Sequence, residues 1–588
     1  MARMLWRSKK LFEHTSNALF EKTALIACYL MSITLAYQLF QYFYNPTPFY
    51  NSVGYVDAYV SVGYGLYYSI PDFLDSYYKV SRLPWNILEF TARHILPPEG
   101  AAFFLQFFSA SLMSISVFLY FRRLISKSNA LWLAVVSIFF PLFYGDGRAD
   151  YHNTISGPLY FFMLAMLTSS IAERSLLLAA WAGVAAALAL HTNPVIALLG
   201  PGLALHCFAC CRSHKRNAVF MFSALAISLV GFAAATIGLG AISTAFGRSF
   251  LFFMPQLNFI LSIQGNNPWW QQLSWDWFVT SKPNAYLIGI FAVCLVELVT
   301  LAARRRIRDE EVAASAYGGY VVTYLLAVAY QFKGQTVLEP DYVARVFVVA
   351  TFVPLGYLME QYLPPLSKRS LAILSAIFPL ACAIALFDSK SIYQNLGLSL
   401  LAPITLVTLT LAGIYLALRV FSTTRINLAV VLLPSLMIAL IPNLSTYAYD
   451  SCRATSHLNV FISNASKFAT EIAGHPDRVY VFANPTEHMT GPCFEHFEVY
   501  ALGVSLAEVG HNFLGDLFEP HQLDQLTRDD FAGLLEHNGM VALLAVHDTT
   551  KDHFLEIAAK LRVNLQLAGL FPDSISGVKL YLFRIAAQ

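Results

Sequence analysis

Residues 23–44 read TALIACYLMSITLAYQLFQYFY, an uncharged run preceded by Arg3, Arg7, Lys9 and Lys10. A run of this length spans the roughly 30 Å hydrocarbon core of a bilayer as a helix. It is too long for the apolar region of a signal peptide, and no small-residue cleavage site follows, so it reads as a retained first span. The rest of the chain repeats the theme. Its 588 residues are 57% hydrophobic and only 13% charged, with a mean hydropathy of +0.55. Soluble domains carry roughly 25% charged residues. The deficit, spread over repeated apolar runs, predicts a polytopic α-helical membrane protein. The formal net charge of +2 argues against a nucleic-acid partner.

Thirteen apolar segments are expected, near 22–44, 101–121, 129–144, 155–172, 175–191, 194–211, 218–242, 284–303, 314–331, 346–363, 369–387, 398–418 and 427–442. Several hold fewer than about 20 residues and predict tilted or shortened helices. Charge sets the direction. Arg122, Arg123 and Lys127 follow the second segment, and Arg212, Lys215 and Arg216 the sixth. Arg304, Arg305, Arg306 and Arg308 follow the eighth, Lys368 and Arg369 the tenth, and Arg419 and Arg425 the twelfth. After the fourth there are only Glu173 and Arg174. Basic loops stay in the cytoplasm. The reading is therefore a cytoplasmic N-terminus in the inner (plasma) membrane of a bacterium, with everything after Pro442 outside.

The chain thus divides into a membrane domain at 1–442 and an extracytoplasmic, periplasmic α/β domain at 443–588. In the latter, Arg478 to Pro485, Val541 to Val546 and Val578 to Arg584 read as strands, and Lys551 to Leu561 as a helix. No glycine-rich phosphate loop follows a strand, so no nucleotide is expected there. Cys207 and Cys210 form a C-x-x-C at an inner helix end, without a second pair to complete a zinc set. Cys452 and Cys493 are the two outer cysteines, for which a disulfide is expected.

The main outer loops are 45–100, 145–154, 243–283 and 332–345, with a short turn at His191-Thr192-Asn193. They hold polar residues that membrane crossing does not require. The first carries Gly54-Tyr55-Val56-Asp57-Ala58-Tyr59 and, later, Arg82-Leu83-Pro84. The second carries Asp146, Arg148, Asp150 and His152. Residues 332–345 carry Lys333, Glu339, Asp341 and Arg345, and residues 269–277 a tryptophan cluster. The spans read as nearly free of charge and the inner loops as little but Lys and Arg, which directs any chemistry to the outer face.

An acid early in the first outer loop, an Arg-Pro-type segment before the second span and an acidic pair in the second outer loop resemble the GT-C superfamily of integral-membrane glycosyltransferases. That group includes protein O-mannosyltransferases, oligosaccharyltransferases and the aminoarabinose transferase of lipid A. The matching residues are Asp57, Arg82-Leu83-Pro84, and Asp146 with Asp150. The resemblance covers span order over nearly the whole chain, through short motifs. It implies transfer of a sugar from a polyprenyl-phosphate donor to a lipid, glycan or protein acceptor on the outer face, with inversion. Such a displacement needs a base for the acceptor proton and positive charge on the leaving phosphate. Asp57 is the expected base. Arg82, Arg345, Arg148 and Lys333 are the expected phosphate ligands, since a guanidinium fork matches two phosphate oxygens. Asp146, Asp150, His152, Glu339 and Asp341 are expected to orient donor or acceptor. The acidic pair is spaced D-x-x-x-D rather than D-x-D or E-x-D, which leaves a divalent metal open; no other cofactor is expected.

Other readings of the same residues remain. Asp57 fits an Asx turn, Arg82 an interfacial snorkelling anchor, and the Glu339–Arg345 group an internal ion pair. His191 fits a packed or solvated turn, and the tryptophan cluster an interfacial belt. A transporter or flippase of lipid-linked saccharides, or a surface-polysaccharide polymerase or ligase, would share the substrates.

Overall fold

The computed structural model describes residues 23–36, 38–39, 78–96, 98–139, 153–262, 282–333, 338, 341–362, 479–483, 526–528, 531, 540–545, 547–572 and 579–585. Asp57, Asp146, Arg148, Asp150, His152, Glu339, the tryptophan cluster, Cys452, Cys493 and the three segments expected between 369 and 442 lie outside the described residues.

The helices follow the apolar runs. α1 is Thr23–Ala36. A 3-10 turn, Tyr78–Ser81, precedes α2, Leu83–Ile95. Then come α3 (Pro98–Phe121), α4 (Lys127–Phe139), α5 (Asn153–Glu173), α6 (Leu176–Thr192), a 3-10 turn at Pro194–Leu199, α7 (Gly200–Ser213) and α8 (Ala218–Ala245). α9 (Met254–Ser262), α10 (Lys282–Ala303), α11 (Glu311–Phe332) and α12 (Asp341–Tyr362) complete the bundle. Among the described residues, six helical stretches are long and apolar enough to cross a membrane, and α1, α6 and residues 346–362 of α12 are shorter apolar helices. The fold is that of a polytopic helical membrane protein with a small separate sheet near the C-terminus.

Polar side chains set the helix starts. Asn217 Oδ1 accepts from the Phe220 N–H at 2.9 Å and opens α8, and Ser175 Oγ does the same for α6. Several helices end in a residue of positive φ followed by a hydrogen bond reaching back five residues. Arg174, Lys215 and Arg305 adopt φ of 56°, 51° and 54°, and the bonds run from Ser175, Arg216 and Arg306. Glycine is the usual occupant. Here a cation stands at the negative end of the helix dipole instead, which offsets part of the left-handed strain. These basic turns share one end of the bundle. Arg122 donates to Thr23 Oγ1 at 2.9 Å, Arg123 pairs with Glu173, and Arg212 lies 3.4 Å from Glu311. Arg216 donates to the terminal carbonyls of α5, Ile171 and Ala172, each at 2.6 Å.

That end is not purely basic, and the nearly charge-free helices carry two acids there. Glu297 in α10 is buried and accepts from Tyr362 and from Gln361 Nε2 (3.2 Å). Glu360 Oε2 accepts from Ser126 N, Ser126 Oγ and Asn129 Nδ2, capping the start of α4. Two carboxylates inside apolar runs were passed over because a single acid barely lowers mean hydropathy. Near the same end, Tyr120 of α3, His206 of α7 and Ser315 of α11 form one chain of hydrogen bonds. The Tyr120–His206 Nε2 distance is 2.7 Å, His206 Nδ1–Ser315 is 3.0 Å, and Ser315 donates to the Val312 carbonyl at 2.7 Å.

Close crossings are made by glycine. A Cβ on Gly183 of α6 would lie 1.8 Å from the Ser228 carbonyl oxygen of α8, and one on Gly231 of α8 would lie 2.2 Å from that of Ala180. Gly202 and Gly319 meet in the same way between α7 and α11. Small residues let membrane helices approach to backbone contact.

The C-terminal sheet has strands β1 (Val479–Ala483), β2 (Met540–Ala545), β3 (Leu565–Pro572) and β4 (Lys579–Ile585), in the order β1-β2-β4-β3. β1 and β2 are parallel; β2–β4 and β3–β4 are antiparallel. Met540, Val541, Ala542, Leu543 and Ala545 of central β2 are buried, in keeping with its unbroken apolar sequence. α13 (Asp548–Lys560) packs Phe554, Ile557 and Ala558 into the sheet core. β3 was not anticipated. Its register shifts between Leu567 and Gly569, and Gly569 and Pro572 break the alternation that marks a strand.

Candidate active site

Residues 78–95, in the segment expected as the first outer loop, are built structure. Arg82 is the N-cap of α2, with Leu83-Pro84 as its first two residues. Proline fits there because its missing N–H has no intrahelical partner and its φ is already helical. The Trp85 and Asn86 N–H groups both donate to the Arg82 carbonyl, and Asn86 Nδ2 donates to the Val80 carbonyl at 3.2 Å. Leu83, Trp85, Asn86, Glu89 and Ala92 form the buried face of α2. Arg82 itself is buried, so it is no snorkelling anchor at an interface.

The same helix carries an ion pair that the sequence reading missed. Arg93 Nε lies 3.2 Å from Glu89 Oε1, and the two side chains are 3% and 0% exposed. The i, i+4 spacing was legible in the sequence. So was the improbability of a 55-residue loop without structure of its own.

α2 packs on α3, α6 and α8, and the segment after α8 closes over it. Gly247, at φ 78°, turns the chain back, and the Arg248 N–H donates to the Ser243 carbonyl at 3.0 Å. The Phe90 and Phe246 rings meet edge-on at 5.2 Å. The Gln256 N–H of α9 donates to Ser81 Oγ at 3.2 Å. Buried Arg248 and Gln256 therefore belong to the same junction as Arg82. His191, at the end of α6, is bonded through Nε2 to Thr236 of α8 (3.0 Å). The rings of Phe252, Phe253 and Phe232 surround it at 4.9, 5.9 and 6.0 Å. It is a packed histidine of the helix pair.

Leu338 is held against the start of α10. The Leu338 N–H donates to Gln331 Oε1, and the Leu338 carbonyl accepts from Asn284 Nδ2, both at 2.9 Å. Lys333 is the exposed C-cap of α11. α12 starts at Asp341, five residues before the apolar run expected at 346, so Asp341 and Arg345 belong to a helix rather than to a loop. Asn153 likewise already belongs to α5.

Among the described residues, no group of three His, Cys, Asp or Glu side chains is arranged to hold a metal. Cys207 and Cys210 are free thiols on α7. Cys210 Sγ lies 3.7 Å from His206 Nε2, whose two nitrogens are already engaged by Tyr120 and Ser315.

No family model and no curated protein matches the chain. Solved structures do. ArnT from Cupriavidus metallidurans in the apo state is similar at 12% identity, over 89% of this chain and 97% of that one, with a TM-score of 0.47. The archaeal oligosaccharyltransferase AglB from Archaeoglobus fulgidus, in complex with an inhibitory peptide and a dolichol-phosphate, is similar at 10% identity. That match covers 94% of this chain and 74% of the other, with a TM-score of 0.40. Both are GT-C glycosyltransferases.

Proposed function

We propose that the protein is an inverting glycosyltransferase of the GT-C type, moving a sugar from a polyprenyl-phosphate donor to a lipid, glycan or protein acceptor at the outer face of the membrane. The observation that carries the reading is the first outer loop. Its described part, residues 78–95, packs on α3, α6 and α8, with the Arg82-Leu83-Pro84 segment at the head of a helix that buries one face. A loop that only joined two spans would not bury an ion pair.

In the proposed reaction the acceptor hydroxyl attacks the anomeric carbon from the face opposite the phosphate. Asp57 takes the hydroxyl proton as the new bond forms, and the polyprenyl phosphate leaves with the electrons of the broken carbon–oxygen bond. Arg82, Arg345, Arg148 and Lys333 are proposed to hold that phosphate. Asp146, Asp150, His152, Glu339 and Asp341 are proposed to orient the two substrates. The phosphodiester of the donor supplies the driving force, so no nucleotide is needed. The basic turns are proposed to face the cytoplasm and the C-terminal sheet domain the periplasm, with Cys452 and Cys493 joined there.

A general base contributes about 10²–10⁴ in rate. Asp57→Asn in lipid vesicles, supplied with polyprenyl-linked sugars from membrane extracts, is expected to lose that much transfer while still retaining donor lipid. Near-normal transfer would remove Asp57 as the base. Glu297 and Glu360 favour a second reading as a transporter, since ionisable groups inside spans often mark transport pathways. Movement of intact donor across the bilayer, abolished by Glu297→Gln and unaffected by Asp57→Asn, would select it.

A further inference from the structure

The segment after α8 does not lead away from the bundle. It folds back along the helix it has just left. α8 has 28 residues and is about 42 Å long, against a hydrocarbon core of about 30 Å. The surplus is used by the reversal at Gly247. A Cβ on Gly240 would stand 2.8 Å from the Phe250 carbonyl oxygen and 2.9 Å from its ring, so Phe250 lies level with Gly240. Gly240 is about 33 Å along α8 from Ala218, close to the far boundary of the core. The next two rings, Phe252 and Phe253, reach His191, which is bonded to Thr236 one further turn down α8. α9 therefore begins at the depth where a bilayer ends.

The exposure of this segment continues the lipid-facing side of α8. Leu229, Ile237 and Ile242 of α8 are 60%, 57% and 40% exposed, and Phe250, Leu251, Leu257 and Leu261 follow at 48%, 49%, 42% and 56%. The other side of α9 buries Gln256, whose N–H holds Ser81. We infer that residues 249–262 form a lipid-seated latch. Phe250, Leu251, Leu257 and Leu261 lie among the acyl chains of the leaflet on the α2 side, and Gln256 ties the first outer loop to that depth. The proposed function enters only in naming this the outer leaflet.

The test needs no enzymatic activity. p-Benzoylphenylalanine is placed at position 257 or 261, at 229 as a lipid-facing control and at 556 as a solvent control. Each full-length protein is irradiated in vesicles of phosphatidylethanolamine and phosphatidylglycerol and analysed by mass. Positions 257 and 261 are expected to give phospholipid adducts at the level of 229, with none at 556. Adducts at the level of 556, or cross-links only to protein, would overturn the inference. Gly240→Val displaces Phe250 and is expected to lower the adduct at 261 severalfold while leaving 229 unchanged. An unchanged adduct at 261 would show that the fold-back does not set the depth of α9.

Discussion

Gly183→Ala tests whether the α6–α8 contact is as close as the structure requires. The added Cβ would stand 1.8 Å from the Ser228 oxygen, 2.7 Å from its carbonyl carbon and 2.9 Å from Phe232 N. All three are backbone atoms, so no side chain can swing aside. Ordinary contact begins at 3.4 Å, so the helices must part by the difference, 3.4 − 1.8 = 1.6 Å. Two hydrogen bonds cross this interface, Ser228 Oγ to the Ala179 carbonyl at 2.9 Å and His191 to Thr236 at 3.0 Å. Adding the shift would stretch both beyond bonding distance. Overpacking costs about 1–3 kcal/mol, and each side-chain bond within a membrane averages about 0.6 kcal/mol. The expected loss is thus about 2–4 kcal/mol, or roughly 30- to 1,000-fold in the folding equilibrium. SDS titration of the protein in mixed micelles, followed by near-UV circular dichroism, measures it. Gly238→Ala is the control. It lies on α8 with nothing within 4 Å of the added carbon. Removing a glycine from a helix interior should stabilise by about 0.5–1 kcal/mol. Equal midpoints for the two variants would refute the close crossing.

Other expectations follow the same logic. Glu89→Ala breaks the Glu89–Arg93 pair and should lower stability in the same titration, with Glu89→Ala/Arg93→Leu recovering part of the loss. Tyr120→Phe removes the donor to His206 Nε2 and should cost about 1–3 kcal/mol, whereas Tyr324→Phe on α11, which removes a buried hydroxyl that makes no hydrogen bond among the described residues, should cost less. Asp548, held below the usual carboxylate range by Tyr581 and Lys579, contributes stability above the unfolded value near 4 that is lost as pH falls through the lower folded value. Asp548→Asn should therefore lower the thermal midpoint slightly at pH 7, and the gap should narrow and close as pH falls below the unfolded carboxylate value near 4.

Apolar runs and basic turns were legible in the sequence because length and charge report membrane crossing directly. α5 to α8 and α10 fall within a few residues of the expected segments. What was not legible depended on packing. Trp85, Asn86 and Glu89 read as polar-loop residues until α2 is laid on α3, α6 and α8. Glu297 and Glu360 were masked by their apolar neighbours, and their partners are remote in sequence. α12 begins early because helical hydrogen bonding continues past the point where hydrophobicity stops. The roles proposed for Asp57, Asp146 and Asp150 rest on the resemblance alone, since a lone carboxylate has no period.

The two ends of the bundle use polar groups differently, and the difference favours chemistry at the α2 end. At the basic end, the described contacts join helix termini. Arg216 caps α5, Glu360 caps α4, and Gln361 and Tyr362 of α12 hold Glu297 of α10. Such bonds fix helices against one another and use up the groups that make them. At the opposite end, the described contacts bring separate connections together. Ser81 meets Gln256, Phe90 meets Phe246, and Leu338 joins Gln331 to Asn284. These tie residues 78–95 to 246–256, and residue 338 to the start of α10. A transferase needs base, phosphate ligands and acceptor site held in register though they come from different parts of the chain. The fixation of residues 78–95 on 246–256 is the kind of contact the proposed function requires; a transport pathway through the bundle would instead require the basic-end network of Glu297 to open.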